Sequence, residues 1–485
     1  MTRFDGWKPT CVVALLCAIT ALTAAAQTFT NLVTFNGLNG SEPAYISLVQ
    51  GTDGAFYGTT GSGGRSRGCC GTVFRVTPTG TITGFHFDRG TGSSPAAGVV
   101  LGLDGKFYGT TSGGGIYNFG TIFKISPSGH RTILYNFCSQ TNCVDGAYPF
   151  GTLIQGSDGA FYGTTFGGGA AFEGTVFKVT PSGAFTTLYS FCSLQGCADG
   201  DEIYGGLVQG ADGNFYGSAQ RGGNDSCFEG CGTIFRITAF GQLTILHRFD
   251  GIDGSEPSST LILGRDGNLY GTTFLGGDLT CDPPYGCGTV FRITPAGVLI
   301  SLHSFEGTDG AGPIGAILEA TDGNFYGTTS GVENGQLYNY GTVFRLTPDG
   351  IVDTLHTFDN ADGADPRGGL LQATSGLFYG TTSFGGDFTC NKKSGCGTVF
   401  SLDIGLTPFV SFVRGYGSVG QVRAILGQGF VGTTLVSFDG TPANFTVSAD
   451  TLLLTTVPPG ATTGYVTVST PSGTLTSNKP FIVLP

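Results

Sequence analysis

The chain has 485 residues, among them 86 glycines, 39 phenylalanines, 18 tyrosines and a single tryptophan. Its 34 acidic residues against 22 basic ones give a net charge of −12, which argues against nucleic acid and anionic membrane surfaces as partners. The glycine follows no three-residue period, so a collagen-like rod is excluded, and no sustained helical apolar periodicity occurs after residue 26.

The first 26 residues carry Arg3 and Lys8, an apolar stretch from about Cys11 to Leu22, and Ala24-x-Ala26 before Gln27. This pattern predicts a secretory signal peptide whose apolar part is short for a membrane span. The mature chain would then have no transmembrane segment and would be secreted or associated with the cell surface. Twelve cysteines follow, in the local pairs Cys69/Cys70, Cys138/Cys143, Cys192/Cys197, Cys227/Cys231, Cys281/Cys287 and Cys390/Cys396. In an exported chain, pairs this close predict disulfides. Cys69 and Cys70 are adjacent, so a bond between them would be strained, and their state stays open.

Seven copies of Tyr-Gly-Thr or Tyr-Gly-Ser, each preceded by Phe or Leu, place tyrosines at 57, 108, 162, 216, 270, 326 and 379. Successive copies lie 51, 54, 54, 54, 56 and 53 residues apart, a period typical of repeat architectures. Within residues 153–191 the order is a short apolar strand, Asp158-Gly159, a strand over 161–165 and a Gly-rich loop. A strand rich in β-branched residues follows at 174–180, then Pro181-Ser182-Gly183 and a fourth strand over 185–191. The Asp-Gly pair predicts a type I′ turn. Four antiparallel strands repeated seven times predict a seven-bladed β-propeller. The fourth-strand motif first occurs at Leu32-Val33-Thr34-Phe35, before any complete repeat, whereas the seventh repeat stops after its third strand near Phe400. An N-terminal strand completing the last blade would leave no long open edge.

The recurring GLVQGxDGxFYGTT and GTVFRVTPxG segments, such as 206–218 with 232–238, resemble the GloVer tandem-repeat proteins, exported bacterial proteins with varied C-terminal anchors. The resemblance covers residues 31–403 and implies export and surface association, with no defined activity. Here no apolar helix with a basic tail follows the repeats, so the expected anchor is absent from this stretch. From about Leu406 the pattern changes. Gly417-Ser418-Val419-Gly420, Gly427-Gln428-Gly429-Phe430, Val457-Pro458-Pro459-Gly460 and Gly464-Tyr465-Val466-Thr467-Val468 resemble the IPT/TIG family of immunoglobulin-like domains. About seven short strands also fit a β-sandwich independently. The expected division is therefore a signal peptide at 1–26, an all-β propeller at 27–404 and a β-sandwich at 405–485.

In a propeller, the loops after strands two and four share one face. Here that face would carry the cysteine pairs and the long variable loops, while the other carries uniform turns. Variable loops on a rigid scaffold commonly bind, which makes Tyr117, Asp278, Asp282, Tyr285, Tyr338 and Phe388 candidate ligand contacts. Acidic residues in the Phe-Asp-Gly-x-Asp-Gly frame, with Asp250, Asp253 and Glu256 as the example, are candidate calcium ligands, although Asp before Gly also simply makes turns. Nothing else suggests a cofactor. His247, His303 and His356 share the strand-four position of Tyr135 and Tyr189 and read as packing residues. Gln50, Gln155, Gln209, Glu319 and Gln372 fall near the central channel, where they would solvate it or bind a small ligand. No Gly-x-Ser-x-Gly, His-Glu-x-x-His or P-loop occurs, and no catalytic residue is assigned. The expectation is an exported, non-enzymatic binding or adhesion protein whose partner is a protein or glycan outside the cell. The alternatives are a structural envelope or matrix component and a polysaccharide-acting lyase or hydrolase.

Overall fold

Three residues of the repeated Phe-Tyr-Gly-Thr motif, the Phe, Tyr and Thr, make contacts that a lone repeat could not satisfy. A computed structural model describes residues 27–65, 70–224, 226–333, 336–337, 339–391 and 394–484. The signal peptide expected at 1–26 lies outside them, as do Cys69 and Tyr338. Among the described residues there is no α-helix, only two single 3₁₀ turns at Thr141–Cys143 and Gln195–Cys197. No helix there is long and apolar enough to cross a membrane.

Seven four-stranded antiparallel sheets make a propeller-like array. The third runs in order through Ile154–Gln155, Phe161–Thr165, Thr175–Val179 and Phe185–Ser190. The last combines Leu371–Gln372, Phe378–Thr382 and Thr398–Asp403 with the N-terminal strand Thr28–Thr34, which pairs antiparallel with 398–403. The motif strands are buried at every position.

Tyr57 packs on Phe107, Tyr108 on Phe161 and Tyr162 on Phe215, all with ring centroids 4.0 Å apart. Tyr270 and Tyr326 meet Phe325 and Phe378 in the same way. Tyr379 of the seventh repeat packs on Phe56 of the first, again at 4.0 Å. Offset ring pairs of this kind add about 0.5–1.5 kcal/mol each beyond area burial. The motif glycine admits the third-strand phenylalanine, since a Cβ on Gly163 would lie 2.6 Å from Phe177. The motif hydroxyl reaches the next repeat: Thr164 Oγ1 donates to Gly205 O, Ser218 Oγ to Ser259 O and Thr328 Oγ1 to Gly368 O. From the seventh repeat, Thr381 Oγ1 donates to Pro43 O in the first at 3.1 Å.

The tyrosine hydroxyls turn back into their own hairpins. Tyr162 donates to Asp158 Oδ2 at 2.9 Å, while Oδ1 of the same carboxylate accepts Ala160 N–H. Five other repeats place the same Asp beside the same Tyr. Burial first and the Asp212 carboxylate second push Tyr216 up to about 12. The basic residue opposite the tyrosine across the strands completes the group where Lys178 meets Asp158 at 2.7 Å and Arg75 meets Asp53 at 2.7 Å. In the seventh repeat both members change together, to Ser375 and Ser401.

These hairpins differ from the expected type I′ turn. Gly51 N–H donates to Ala55 O, Gly54 N–H donates to Gly51 O, and Gly54 has φ +75° while Asp53 keeps a negative φ. This is a type I turn closed by a left-handed glycine. The Asp carboxylate, held by the N–H two residues on and by the tyrosine, explains why only the glycine is left-handed.

Residues beyond 406 form two further four-stranded antiparallel sheets, 411–412/422–426/452–456/445–449 and 441–443/435–438/466–470/473–476, around Val410, Phe430, Phe438, Leu453 and Phe481. A parallel pair, 416–418 with 482–484, completes them. This unit rests on the uniform turns of alternate repeats. Thr451 Oγ1 donates to Thr52 O, Arg414 Nη2 to Gly156 O, and Phe409 N–H to Thr374 O, while Arg265 Nη2 donates to Asn478 O. Desolvation at this contact lowers the Lys479 pKa against the attraction of Glu319, although the residue keeps an exposed surface.

Candidate functional site

The short segment before each first strand differs from repeat to repeat, and these segments meet around one cavity of about 680 Å³. Three residues before Leu48, Val99, Leu153, Leu207, Leu261, Ile317 and Leu370, the column reads Tyr45, Ala96, Phe150, Tyr204, Ser258, Ile314 and Arg367. All but Ala96 line the cavity, together with Gln220, Glu256 and Phe274. Six of the seven repeats therefore contribute to one site on the face that carries the disulfides.

One wall is aromatic. Tyr204 lies 5.3 Å from Phe150 and 4.9 Å from Phe166, centroid to centroid. Burial, then the Glu202 charge, push the Tyr204 hydroxyl up to about 12. Other parts of the lining and rim are polar and charged. Arg367 Nε donates to Asp365 Oδ2 at 2.7 Å, and its Nη1 donates to the Tyr45 hydroxyl. Burial lowers the Arg367 pKa, but the Asp365 charge and hydrogen bond outweigh it and leave it raised. Gln220 Nε2 donates to Glu256 Oε2 at 2.9 Å, and Arg221 pairs with Glu202 at 3.2 Å. The buried Oδ1 of Asp365 and Oε1 of Gln220 have no protein partner. Asp201, beside Arg221 on the same rim, is pushed up to about 6 by burial first and then by Glu173 and Glu202, with Arg221 opposing.

The residue before the proline, or before Ile203 in its place, is left-handed in every repeat: Glu42, Ser94, Tyr148, Glu202, Glu256, Gly312 and Asp365, with φ between 50° and 65°. Six of the seven keep a side chain where glycine would sit without strain, at about 1–2 kcal/mol each. Backbone hydrogen bonds hold them there. Glu256 N–H donates to Cys231 O and its carbonyl accepts Phe274 N–H, with the same arrangement at Tyr148 and Asp365.

The sequence-derived candidates do not gather at this cavity. Tyr117, Asp278, Asp282, Tyr285 and Phe388 sit in three separate loops, and none lines it. Asp278 caps Thr280 through its N–H and hydroxyl, and the Asp282 carbonyl accepts Tyr285 N–H. Of the weighed calcium ligands, Glu256 turns to Gln220 in the cavity wall. Asp250 Oδ1 accepts Ile252 and Asp253 N–H, and Asp253 accepts Asp250 N–H and His247 Nε2. The three do not converge, and among the described residues no group of three or more His, Cys, Asp or Glu is placed to hold a metal.

The strand-four histidines have a partner that packing alone does not require. His247, His303 and His356 bond Asp253, Asp309 and Asp362 at 2.7, 2.7 and 2.8 Å. Burial raises the Asp309 pKa, but the His303 bond and backbone N–H groups outweigh it and hold it low. Tyr135 and Tyr189 do the same with buried Asp145 and Asp199, two residues past the loops closed by Cys138–Cys143 and Cys192–Cys197. Cys227–Cys231, Cys281–Cys287 and Cys390–Cys396 are also bonded, and Cys70 is in a disulfide. Five described disulfides point to an oxidising, extracellular setting. The inner-strand amides prove to be ties between repeats. Gln209 accepts Ser157 N–H, Gln372 accepts Thr321 N–H, and Gln50 of the first repeat accepts Thr374 N–H of the seventh.

The sequence model of the Gloeobacter/Verrucomicrobia repeat matches residues 17–155, 139–281 and 277–447. No curated protein matches the chain. Among solved structures, a fungal alcohol oxidase of the AA5 family, in complex with copper, is 12% identical with TM-score 0.50, covering 94% of this chain and 99% of that one. The extracellular domain of a hybrid two-component system from B. thetaiotaomicron is 12% identical with TM-score 0.48, and the match spans 59% of that chain and 95% of this one. A gluconolactonase from Xanthomonas campestris is 11% identical with TM-score 0.38, covering 78% of this chain and 90% of that one. Likeness at these identities concerns fold alone.

Proposed function

We propose that this chain, which belongs to the Gloeobacter/Verrucomicrobia repeat family, is an exported binding protein whose axial cavity takes a polyhydroxylated small ligand, such as the terminal sugar of a glycan. In this reading residues 1–26 are a cleaved signal peptide and 27–404 form a seven-bladed propeller closed by the strand at 28–34. Residues 405–485 form an immunoglobulin-like domain of IPT/TIG type that covers the uniform-turn end of the channel.

The observation that carries the reading is the cavity wall. Its volume of about 680 Å³ falls within the range of roughly 300–1,000 Å³ usual for small-ligand sites. Phe150 and Tyr204 offer ring faces to the C–H face of a sugar, while Glu256, Gln220 and Arg367 offer acceptors and donors to its hydroxyls.

Exposing the mature protein to a glycan array tests this. Binding to a defined terminal sugar is expected, with loss of signal in Phe150→Ala and Tyr204→Ala variants that keep the parent thermal transition. A blank array, or binding that survives both substitutions, would remove the cavity from the account.

A further inference from the structure

One junction between repeats departs from the other six, and the departure leaves a positively charged groove. In six of the seven sheets the outer pair of strands contains a bulge, and the bulged residue is always leucine: Leu32, Leu134, Leu188, Leu246, Leu302 and Leu355. Each leucine packs on the adjoining core. The first repeat has no bulge, since Val73 pairs with Phe85 and Phe74 directly with Gly84. Its outer strand is thus one residue short, with glycine beside the gap.

The second repeat answers with a cation. Where five of the other outer strands begin with Ile82, Phe185, Leu243, Leu299 or Val352, it has Arg131. Phe185 stacks on Tyr135 of the preceding repeat at 3.9 Å, but Arg131 crosses into the first repeat. Its Cζ lies 4.0 Å over the Phe87 ring, Nη1 donates to His86 O, and Nη2 donates to Thr91 Oγ1. Thr91 stands where the later repeats place the Asp that holds the Tyr or His. The resulting groove, about 690 Å³, is lined by Arg65, His86, Asp88, Arg89, His130 and Arg131.

Three arginines against one carboxylate give this groove a net charge of +2 before either histidine is protonated, on a chain whose total is −12. None of the three arginines has a carboxylate partner within ion-pair distance among the described residues. Asp88 is engaged by Thr91 N–H. His86 Nδ1 is buried with no partner. Burial pulls the Arg131 pKa down, with Asp88 opposing in smaller measure. Cations left without counter-ions around a concave surface attract an anion, and guanidinium groups favour oxyanions that accept two hydrogen bonds at once.

We infer that the groove between the first and second repeats binds the oxyanion of a sulfate or phosphate ester. The site is separate from the axial cavity and independent of what that cavity holds. It would let an acidic protein engage an acidic extracellular polymer at one defined place, since the remaining surface repels it.

Calorimetric titration of the mature chain with sodium sulfate and sodium phosphate, against sodium chloride at equal ionic strength, tests the inference. Saturable binding is expected for both oxyanions and not for chloride. Affinity should fall about tenfold in Arg131→Gln, the loss expected for one charge-assisted hydrogen bond. It should fall severalfold in Arg89→Gln, an exposed position whose loss does not threaten folding, and stay unchanged in Arg236→Gln, in the distant strand Thr233–Ile237. Competition by a sulfated oligosaccharide but not its desulfated counterpart would assign the group to a glycan, and competition by a phosphomonoester would assign it to a phosphate. No saturation by either anion, or equal affinity in the parent, Arg131→Gln and Arg89→Gln, would overturn the site.

Discussion

Two columns of the repeat sit a few residues apart and obey opposite rules. The Phe-Tyr-Gly-Thr column is nearly the same in all seven copies. The column before the first strand reads Tyr45, Ala96, Phe150, Tyr204, Ser258, Ile314 and Arg367, and only the two tyrosines agree. The difference lies in what each side chain touches. Every motif residue meets an equivalent partner in the neighbouring repeat or in its own hairpin, so one change has to be matched elsewhere. Ser375 and Ser401, which replace the Asp and the basic residue together in the seventh repeat, show that matching within the chain. The divergent column, Ala96 apart, lines an open cavity, where contacts such as Arg367 with Tyr45 and Phe150 with Tyr204 are not repeated from copy to copy. Uniformity here marks scaffold, and divergence marks the places free to specialise.

The comparison can be broken most forcefully in the motif column. Phe161 is fully buried and packs on Tyr108, so Phe161→Ala should cost about 3–5 kcal/mol, read from the denaturant midpoint. A loss below about 1 kcal/mol would show that the repeats do not depend on this packing. Next comes the loop held by Cys138–Cys143. Replacing both cysteines by serine should lower stability by about 2 kcal/mol under the chain-entropy account while leaving the sheet intact by circular dichroism.

A smaller effect should appear on the rim of the divergent column. Asp201 is held at about 6 against an ordinary 3.8. Its charged form is disfavoured in the folded state, so this group lowers stability as pH rises from 3.8 through 6. Asp201→Asn should therefore be more stable than the parent at pH 7, with the gap closing as pH falls towards 3.8. A gap independent of pH would remove the carboxylate's charge as the cause. Smallest of all, Arg89→Ala at the exposed lip of the charged groove should change stability by less than about 0.5 kcal/mol, checked by the same midpoint.

Periodicity made much of the scaffold legible, because repeated residues announce repeated contacts. The four-strand unit, the N-terminal strand that joins the last sheet and the five local disulfides could all be read from spacing. The turn type could not. Asp-Gly favours type I′ in isolation, but here the carboxylate is drawn to Tyr and to the N–H two residues on. The His–Asp pairs were hidden because Asp lies six residues after His and ten after Tyr, across loops of different length. The inner-strand glutamines looked like channel lining because the sequence does not show that their amides reach the preceding repeat. The docking of residues beyond 406 uses backbone carbonyls at Thr52, Gly156 and Thr374, which carry no sequence signature. The cavity itself was legible in principle, once the seven segments after the proline are aligned and their disagreement is noticed. The missing bulge at Gly84 was legible in the same way, as one residue absent from one copy.

The most direct test of whether function follows divergence is equilibrium binding of the sugar selected by the array, compared across two pairs of variants. Phe150→Ala and Tyr204→Ala, at the cavity, should weaken binding about tenfold or more, as expected for aromatic anchors in a site. Tyr285→Ala and Phe388→Ala, in exposed loops outside it, should leave affinity within about twofold, as near-neutral peripheral contacts do. The reverse pattern, with the loop pair decisive and the cavity pair silent, would contradict the account.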